Sequence, residues 1–264
     1  MNRTSSLLAL ALALAPAAAR ATPTVESSNG AVDVNKIIRA IDERQRNQGD
    51  WKALCYMEQK EKDKTDVVYE LVVFRRDLAN QQLFLFTKPK SEAGKGYLRL
   101  EKNMWFYDPG VGRWERRTER ERIGGTDTRR SDLDESKLAE EYDASYLGAE
   151  KLGAYQVHKL ELKVKPGVDV SFPVLRLWVD QATNNILKRQ EFALSGRLMR
   201  TSYYPRWKKV WSESKKGDVW YPEEMRFFDE IEKANSTHIV IQQIDLRALE
   251  PNIFTKAWLE SKSR

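Results

Sequence analysis

From Trp51 to Leu246 the apolar residues recur every second position, after an opening segment in which they recur about every 3.6. A chain with that rhythm has to solve the problem of an extended sheet. Short alternating segments follow one another at residues 51–59, 66–74, 81–87, 96–102 and 104–107. The turn Asp108-Pro109-Gly110-Val111-Gly112 then leads into a charged strand around Trp114. A polar stretch with Gly124-Gly125 precedes residues 131–141 (SDLDESKLAEE), read as a short helix from its capping residues and from Leu133 and Leu138. Strands resume at 155–165, 174–180, 186–194, 198–204, 208–212, 219–228 and 237–246, with Asn184-Asn185 and Lys216-Gly217-Asp218 as hairpin turns. Residues 254–259 form a final helical turn carrying Trp258. Connections this short favour an antiparallel meander over parallel crossovers.

One good helix precedes the strands. Asp33 is placed to cap it, and Val34, Ile37, Ile38 and Ile41 fall on one stripe, with Asn35, Lys36, Arg39, Asp42 and Glu43 opposite. Several strands are apolar on both faces: Leu83 and Leu85 alternate with Phe84 and Phe86, and Val67, Leu71 and Val73 with Val68, Val72 and Phe74. Both faces must therefore leave water. A helix of about 14 residues is only ~21 Å long, too short to cover some eleven strands spaced ~4.8 Å apart. The sheet can curl into a filled barrel or sandwich, or around a gap that something else fills. Periodicity leaves both open.

Residues 1–21 read as a cleaved signal peptide: Arg3, an apolar run from Leu7 to Ala15, and a small-x-small site at Ala19-Arg20-Ala21. Residues 22–32 are then a flexible leader and 33–264 a single exported domain. No later run is long enough to span a bilayer, so stable membrane insertion is not expected. Losing Arg3 and Arg20 with the leader lowers the formal charge from +6 to +4. The densest charged run, RWERRTERER, mixes both signs and does not read as a nucleic-acid footprint. An outer-membrane barrel is disfavoured because strands such as this one are too charged for a lipid face.

Chemistry-bearing motifs are sparse. One Cys excludes an internal disulfide, and two distant His, His158 and His238, make a His-rich metal site unexpected. Cys55 alternates within the first strand and reads as a buried structural thiol. There is no nucleophile elbow, phosphate loop or zinc-protease motif. The expectation is a non-enzyme with no catalytic, cofactor-binding or metal-binding residues.

A family resemblance enters at Met104-Trp105-Phe106-Tyr107-Asp108-Pro109, which resembles the Leu-Trp-Phe-Tyr-Asn-Pro segment of LolA-type periplasmic lipoprotein carriers. The surroundings are similar to the LolA-like outer membrane lipoprotein-sorting branch: Gly96-Tyr97-Leu98-Arg99, Gly125-Thr126-Asp127, Asp132-Leu133, Tyr142-Asp143, Leu177-Trp178-Val179-Asp180, Trp220-Tyr221-Pro222 and Phe254-Thr255. The order is kept across about residues 33 to 260. The resemblance implies a mostly β fold: an incomplete antiparallel β-barrel of about 11 strands around an apolar cavity, with the leading helix and short helices as a lid. It also implies a carrier of lipoprotein or other lipid cargo, working with an inner-membrane ABC or RND-type transporter and an outer-membrane acceptor. A lipid-binding sensor or fixed accessory subunit of an envelope stress or export system is the alternative. On this resemblance the lid and cavity comprise Ile37, Ile38, Ile41, Leu71, Val73, Leu83, Leu85, Trp105, Tyr107 and Trp178, and Arg76 is the latch that would hold the lid. Charged substitutions at Ile37 or Ile41 are expected to impair cargo handling more than folding.

Overall fold

The structure, a computed structural model, describes residues 32–100, 103–118 and 120–263. The described residues from Asp33 onward form one compact unit. The expected signal peptide, and all of the leader except Val32, lie outside the described residues.

This unit opens with α1 (Val34–Gln45), whose N-terminus is capped by the Asp33 side chain accepting from the Lys36 N–H at 2.9 Å. Six strands follow: β1 (Asp50–Lys60), β2 (Val67–Arg76), β3 (Gln81–Lys88), β4 (Gly96–Leu100), β5 (Asn103–Asp108) and β6 (Arg113–Arg117). A largely irregular segment leads to the one-turn helix α2 (Leu138–Glu141). Seven more strands complete the sheet: β7 (Tyr142–Leu152), β8 (Tyr155–Val164), β9 (Val174–Asp180), β10 (Ile186–Phe192), β11 (Leu198–Ser212), β12 (Gly217–Asp229) and β13 (Ser236–Asp245). The terminal helix is α3 (Lys256–Lys262).

The strands form one antiparallel sheet of 13 in the order β6-β5-β4-β3-β2-β1-β13-β12-β11-β10-β9-β8-β7. It is the expected mostly-β meander, with β1 and β13 zipping two wings together and β6 and β7 left as its edges. The sheet has 13 strands where about 11 were expected, and the main departures from the sequence reading are at β7, which it lacked, and at β11. β7 is an edge strand whose side chains are mostly exposed, so it shows no apolar alternation. β11 is one 15-residue strand rather than two, because Pro205 sits in a bulge where the pairing with β12 slips between Tyr203 and Trp207.

Laid flat, 13 strands ~4.8 Å apart would span about 58 Å, and the 12 residues of α1 reach only ~18 Å. Yet Ile38 and Ile41 share one buried cluster with residues from β1 to β5 and β7 to β13, so the sheet curls around its inner face. That face is closed by α1, by Ile123, Leu133 and Leu138 of the segment between β6 and β7, and by Phe172. The outer face of the first wing has its own cover. Leu249, Ile253, Phe254, Trp258 and Leu259 lie on Val72, Phe74, Leu83, Leu85 and Leu98. This resolves the double-sided apolar pattern of β2 and β3: each face has a different partner from a different end of the domain.

Gly96 permits the second contact. A Cβ there would stand 2.6 Å from the Phe84 carbonyl oxygen and 2.8 Å from a Leu259 methyl, so α3 can approach β4 only over a glycine.

Candidate functional site

The inner face is not purely apolar. Alternation places Arg75, Gln82, Arg99, Arg189, Glu191 and Arg200 on it, all with little or no solvent contact. Their partners come from the β6–β7 segment. Asp132 receives Arg189 Nη2 at 2.6 Å and Arg200 Nη1 at 2.7 Å, and Glu191 is paired with both arginines. Asp134 meets Arg99 at 2.8 Å and also pairs with Arg130. Gln82 Nε2 donates to the Leu133 carbonyl at 3.0 Å. Further along, Arg122 bridges Asp127 (2.8 Å) and Asp229 (2.7 Å).

The helix expected over residues 131–141 forms only as a 3-10 turn at Arg130–Asp132, where Asp132 accepts from the Arg129 N–H at 2.7 Å, and as the single turn α2, so capping is a minor part of what these acids do. They are countercharges for arginines that the sheet turns inward. Burial alone would raise the Asp134 carboxyl, but Arg99 and Arg130 pull it far below the ordinary carboxylate range. The same contest, won by Arg200 and Arg189, lowers Asp132.

α1 is tied to the same segment. Asp42, which the sequence places on the polar face opposite the isoleucine stripe, is buried. Its carboxylate accepts from Ser136 Oγ (2.5 Å), the Leu138 N–H (3.0 Å) and the Ala139 N–H (2.7 Å), capping α2 from another helix. Burial raises its pKa in spite of these bonds. Arg46, just past α1, donates to Glu135 at 3.0 Å and Glu140 at 2.9 Å. α1, α2 and the segment before them therefore form one cover, bound to the sheet by ion pairs as much as by apolar contact.

Three cavities adjoin this cover, of about 110, 40 and 230 Å³. The largest is bordered by Arg122, Asp127, Arg129, Arg200 and Asp229 beside Phe172 and Met199. All are below the ~300 Å³ at which pockets for drug-sized ligands begin. Among the described residues, Phe84, Phe86, Phe227, Ile123 and the α1 isoleucines pack together where the family resemblance implies an apolar hollow.

The expected cavity and lid residues are divided between locations. Ile38, Ile41, Leu71 and Val73 are buried together on the inner face, with Ile37 at its margin. Leu83, Leu85 and Tyr107 belong to the outer cluster beneath the C-terminal segment, and Lys256 Nζ lies 3.7 Å above the Trp105 ring there. The inner positions of these strands are taken by Phe84, Phe86, Met104 and Phe106. Trp178 also faces outward, between Lys159 and Lys188. Arg76 does not reach the helix. Its guanidinium grips Asp50 at 2.7 and 2.9 Å and the Leu249 carbonyl at 3.3 Å, over the Phe254 ring, and so pins the C-terminal segment. The inward arginine is its neighbour Arg75, paired with Asp77 at 2.8 Å and stacked on Trp51. A one-residue step in a strand moves a side chain to the opposite face. Cys55 is fully buried, and burial pushes its thiol up to about 12.

A family model described only as covering uncharacterized proteins matches residues 78–261. Among solved structures, a LolA superfamily protein from Nitrosomonas europaea superimposes with a TM-score of 0.73 at 22% identity, covering 86% of this chain and all of its own. A domain titled as an outer membrane lipoprotein-sorting protein from Vibrio parahaemolyticus gives 0.74 at 20% identity, over 86% of this chain and 97% of that one. A DUF1329 family protein from Desulfovibrio piger gives 0.74 at 18%, over 85% and 97%. No curated protein matches. At these identities the structural likenesses establish the fold.

Proposed function

Because the chain belongs to the family of uncharacterized proteins matched over residues 78–261 and has the fold of the LolA superfamily, we propose that it is a periplasmic carrier for the acyl chains of lipoproteins or other lipids. One observation carries the reading. The apolar part of the inner face, including Met57, Leu71, Val73, Phe84, Phe86, Phe227 and Ile239, is closed by a helix and an irregular segment rather than by a second sheet. Displacing that cover would present the sheet to a chain of CH₂ groups without breaking a single strand pairing.

The energetics suit exchange. Burying a 16-carbon acyl chain is worth about 12 kcal/mol at ~0.8 kcal/mol per CH₂, and Ile38, Ile41, Ile123 and Leu133 already satisfy part of the same face. The protein's own side chains fill this face as the chain is folded here. Loading replaces one apolar occupant with another, so net binding stays modest and release to an acceptor remains feasible. On this reading the leader directs export, an ABC or RND-type transporter in the inner membrane supplies cargo, and an outer-membrane protein receives it. The site works by packing and needs no catalytic group, cofactor or metal.

The ion pairs that hold the cover favour a second reading, a fixed binding or sensor subunit whose cover seldom moves. Native mass spectrometry of the protein purified from the periplasm separates the two. Acyl-lipid adducts, or binding of a lipidated peptide in vitro, are expected of the carrier. A consistently empty protein that ignores lipidated peptide overturns the carrier and leaves the accessory subunit.

A further inference from the structure

The 110 Å³ cleft runs between α2, the loop at Phe172 and the inner face of β9 to β11. Leu138, Leu175 and Ile186 make one side apolar. Three polar groups in the lining are not used up by the ion-pair network. Arg189 Nη2 serves both Asp132 and Glu191, but its Nε–H is buried with no acceptor. The Tyr204 side chain is buried beneath the same guanidinium, 5.8 Å from ring to guanidinium carbon, and its hydroxyl makes no hydrogen bond among the described residues. Glu141, half-buried at the end of α2, likewise has no side-chain partner among them. Burial holds the Tyr204 phenol at about 12 and the Glu141 carboxyl at about 7, so a phenolic and a carboxylic O–H are both present near neutral pH. A buried donor without an acceptor costs roughly 1–3 kcal/mol. The Arg189 Nε–H is such a donor, and with the Tyr204 and Glu141 O–H groups lining the same cleft it marks a place that gains from being filled.

The charges narrow the occupant. Asp132 and Glu191 are balanced by Arg189 and Arg200, and the rest of the lining sets Arg130 and Lys137 against Asp134, Glu135, Glu141 and Asp169, so the cleft offers donors without excess positive charge. A carboxylate or phosphate would lose its hydration for little Coulombic return. An uncharged oxygen acceptor loses far less. The cleft is also too small for a fatty chain and opens beside the apolar face that would receive one.

We propose that this cleft is a subsite for the uncharged ester or amide end of an acylated ligand, with Arg189, Tyr204 and Glu141 donating to its carbonyl and hydroxyl oxygens. The proposal rests on the carrier reading and adds to it which end of the ligand is recognised and where. The cleft becomes the fixed point from which the chain extends under the cover.

The test uses the full exported protein and three probes: monopalmitoylglycerol, palmitate, and the headless fluorophore diphenylhexatriene. Wild type is expected to bind the glycerol ester more tightly than palmitate, and to take up the fluorophore. Tyr204→Phe and Glu141→Ala should each weaken monopalmitoylglycerol binding roughly five- to tenfold, the worth of one hydrogen bond, while fluorophore uptake is unchanged. Glu141, partly exposed, keeps the test available should Tyr204→Phe unfold. An unaffected ester affinity in the folded variants, a parallel loss for ester and fluorophore, or tighter binding of palmitate overturns the subsite and leaves the carrier standing. Wild-type protein that binds none of the three overturns both.

Discussion

Asp132 shows what one side chain contributes here. Its carboxylate is wholly buried and serves two arginines, so removing its charge strands both beside a single glutamate. Asp132→Asn should cost about 3–5 kcal/mol of unfolding free energy, the usual penalty for breaking a buried pair from one side, read as a lower denaturant midpoint. Glu141 behaves in the opposite sense. Its folded pKa, about 7, exceeds the ordinary 4.5, so the folded state holds its proton more tightly than the unfolded chain does. Its contribution to stability is therefore present below pH 4.5 and lost as pH rises through 7. Glu141→Gln should flatten the stability profile across that window, as thermal melts at successive pH values would show. These acids are plain in the sequence, but their meaning is not. Asp132 finds Arg189 57 residues away and Arg200 68 away, whereas capping rules look only three or four residues ahead. The latch implied at Arg76 misses for a related reason: Arg75 and Arg76 are both charged and adjacent, and only the register with β1 and β3 says which one turns inward.

Among the elements, α1 was the most legible: its cap and its isoleucine stripe follow from spacing alone. What spacing did not reveal is how deeply the stripe is committed. Ile41 is 1% exposed and belongs to the sheet's own cluster. Ile41→Asp should therefore destabilise the whole domain by more than about 3 kcal/mol, measured by chemical denaturation, instead of sparing the fold. Ile37, at the margin, is the milder position. The strands β2 and β3 were recognised by alternation, yet alternation could not assign their faces, because Leu83/Leu85 and Phe84/Phe86 are equally apolar. The deciding information lies in the last fifteen residues, where Ile253, Phe254 and Leu259 settle on the leucine side. Gly96→Val should lift α3 from β4, detected as a drop in melting temperature and as proteolytic loss of the C-terminal segment. A melting point equal to wild type would show that the close approach over Gly96 is dispensable.

In the molecule as a whole, a rigid ladder of strand pairings carries a cover held by charges. Hydrogen exchange should reveal that difference. On adding monopalmitoylglycerol, amides in residues 120–141 are expected to exchange faster, while those of β1 to β3 and β11 to β13 keep their protection. Uniform protection of the cover under load would favour the fixed accessory subunit.

The junction of the two wings has a further consequence, for assembly. β1 lies next to β13, so the first strand the ribosome makes cannot acquire its second neighbour until nearly the whole polypeptide exists. Until then β1 offers a raw hydrogen-bonding edge, and the leucine side of β2 and β3 is wet. Such long-range closure is slow and leaves a sticky intermediate. A chaperone that shields residues 50–88 until the last strand arrives is the kind of helper this topology calls for.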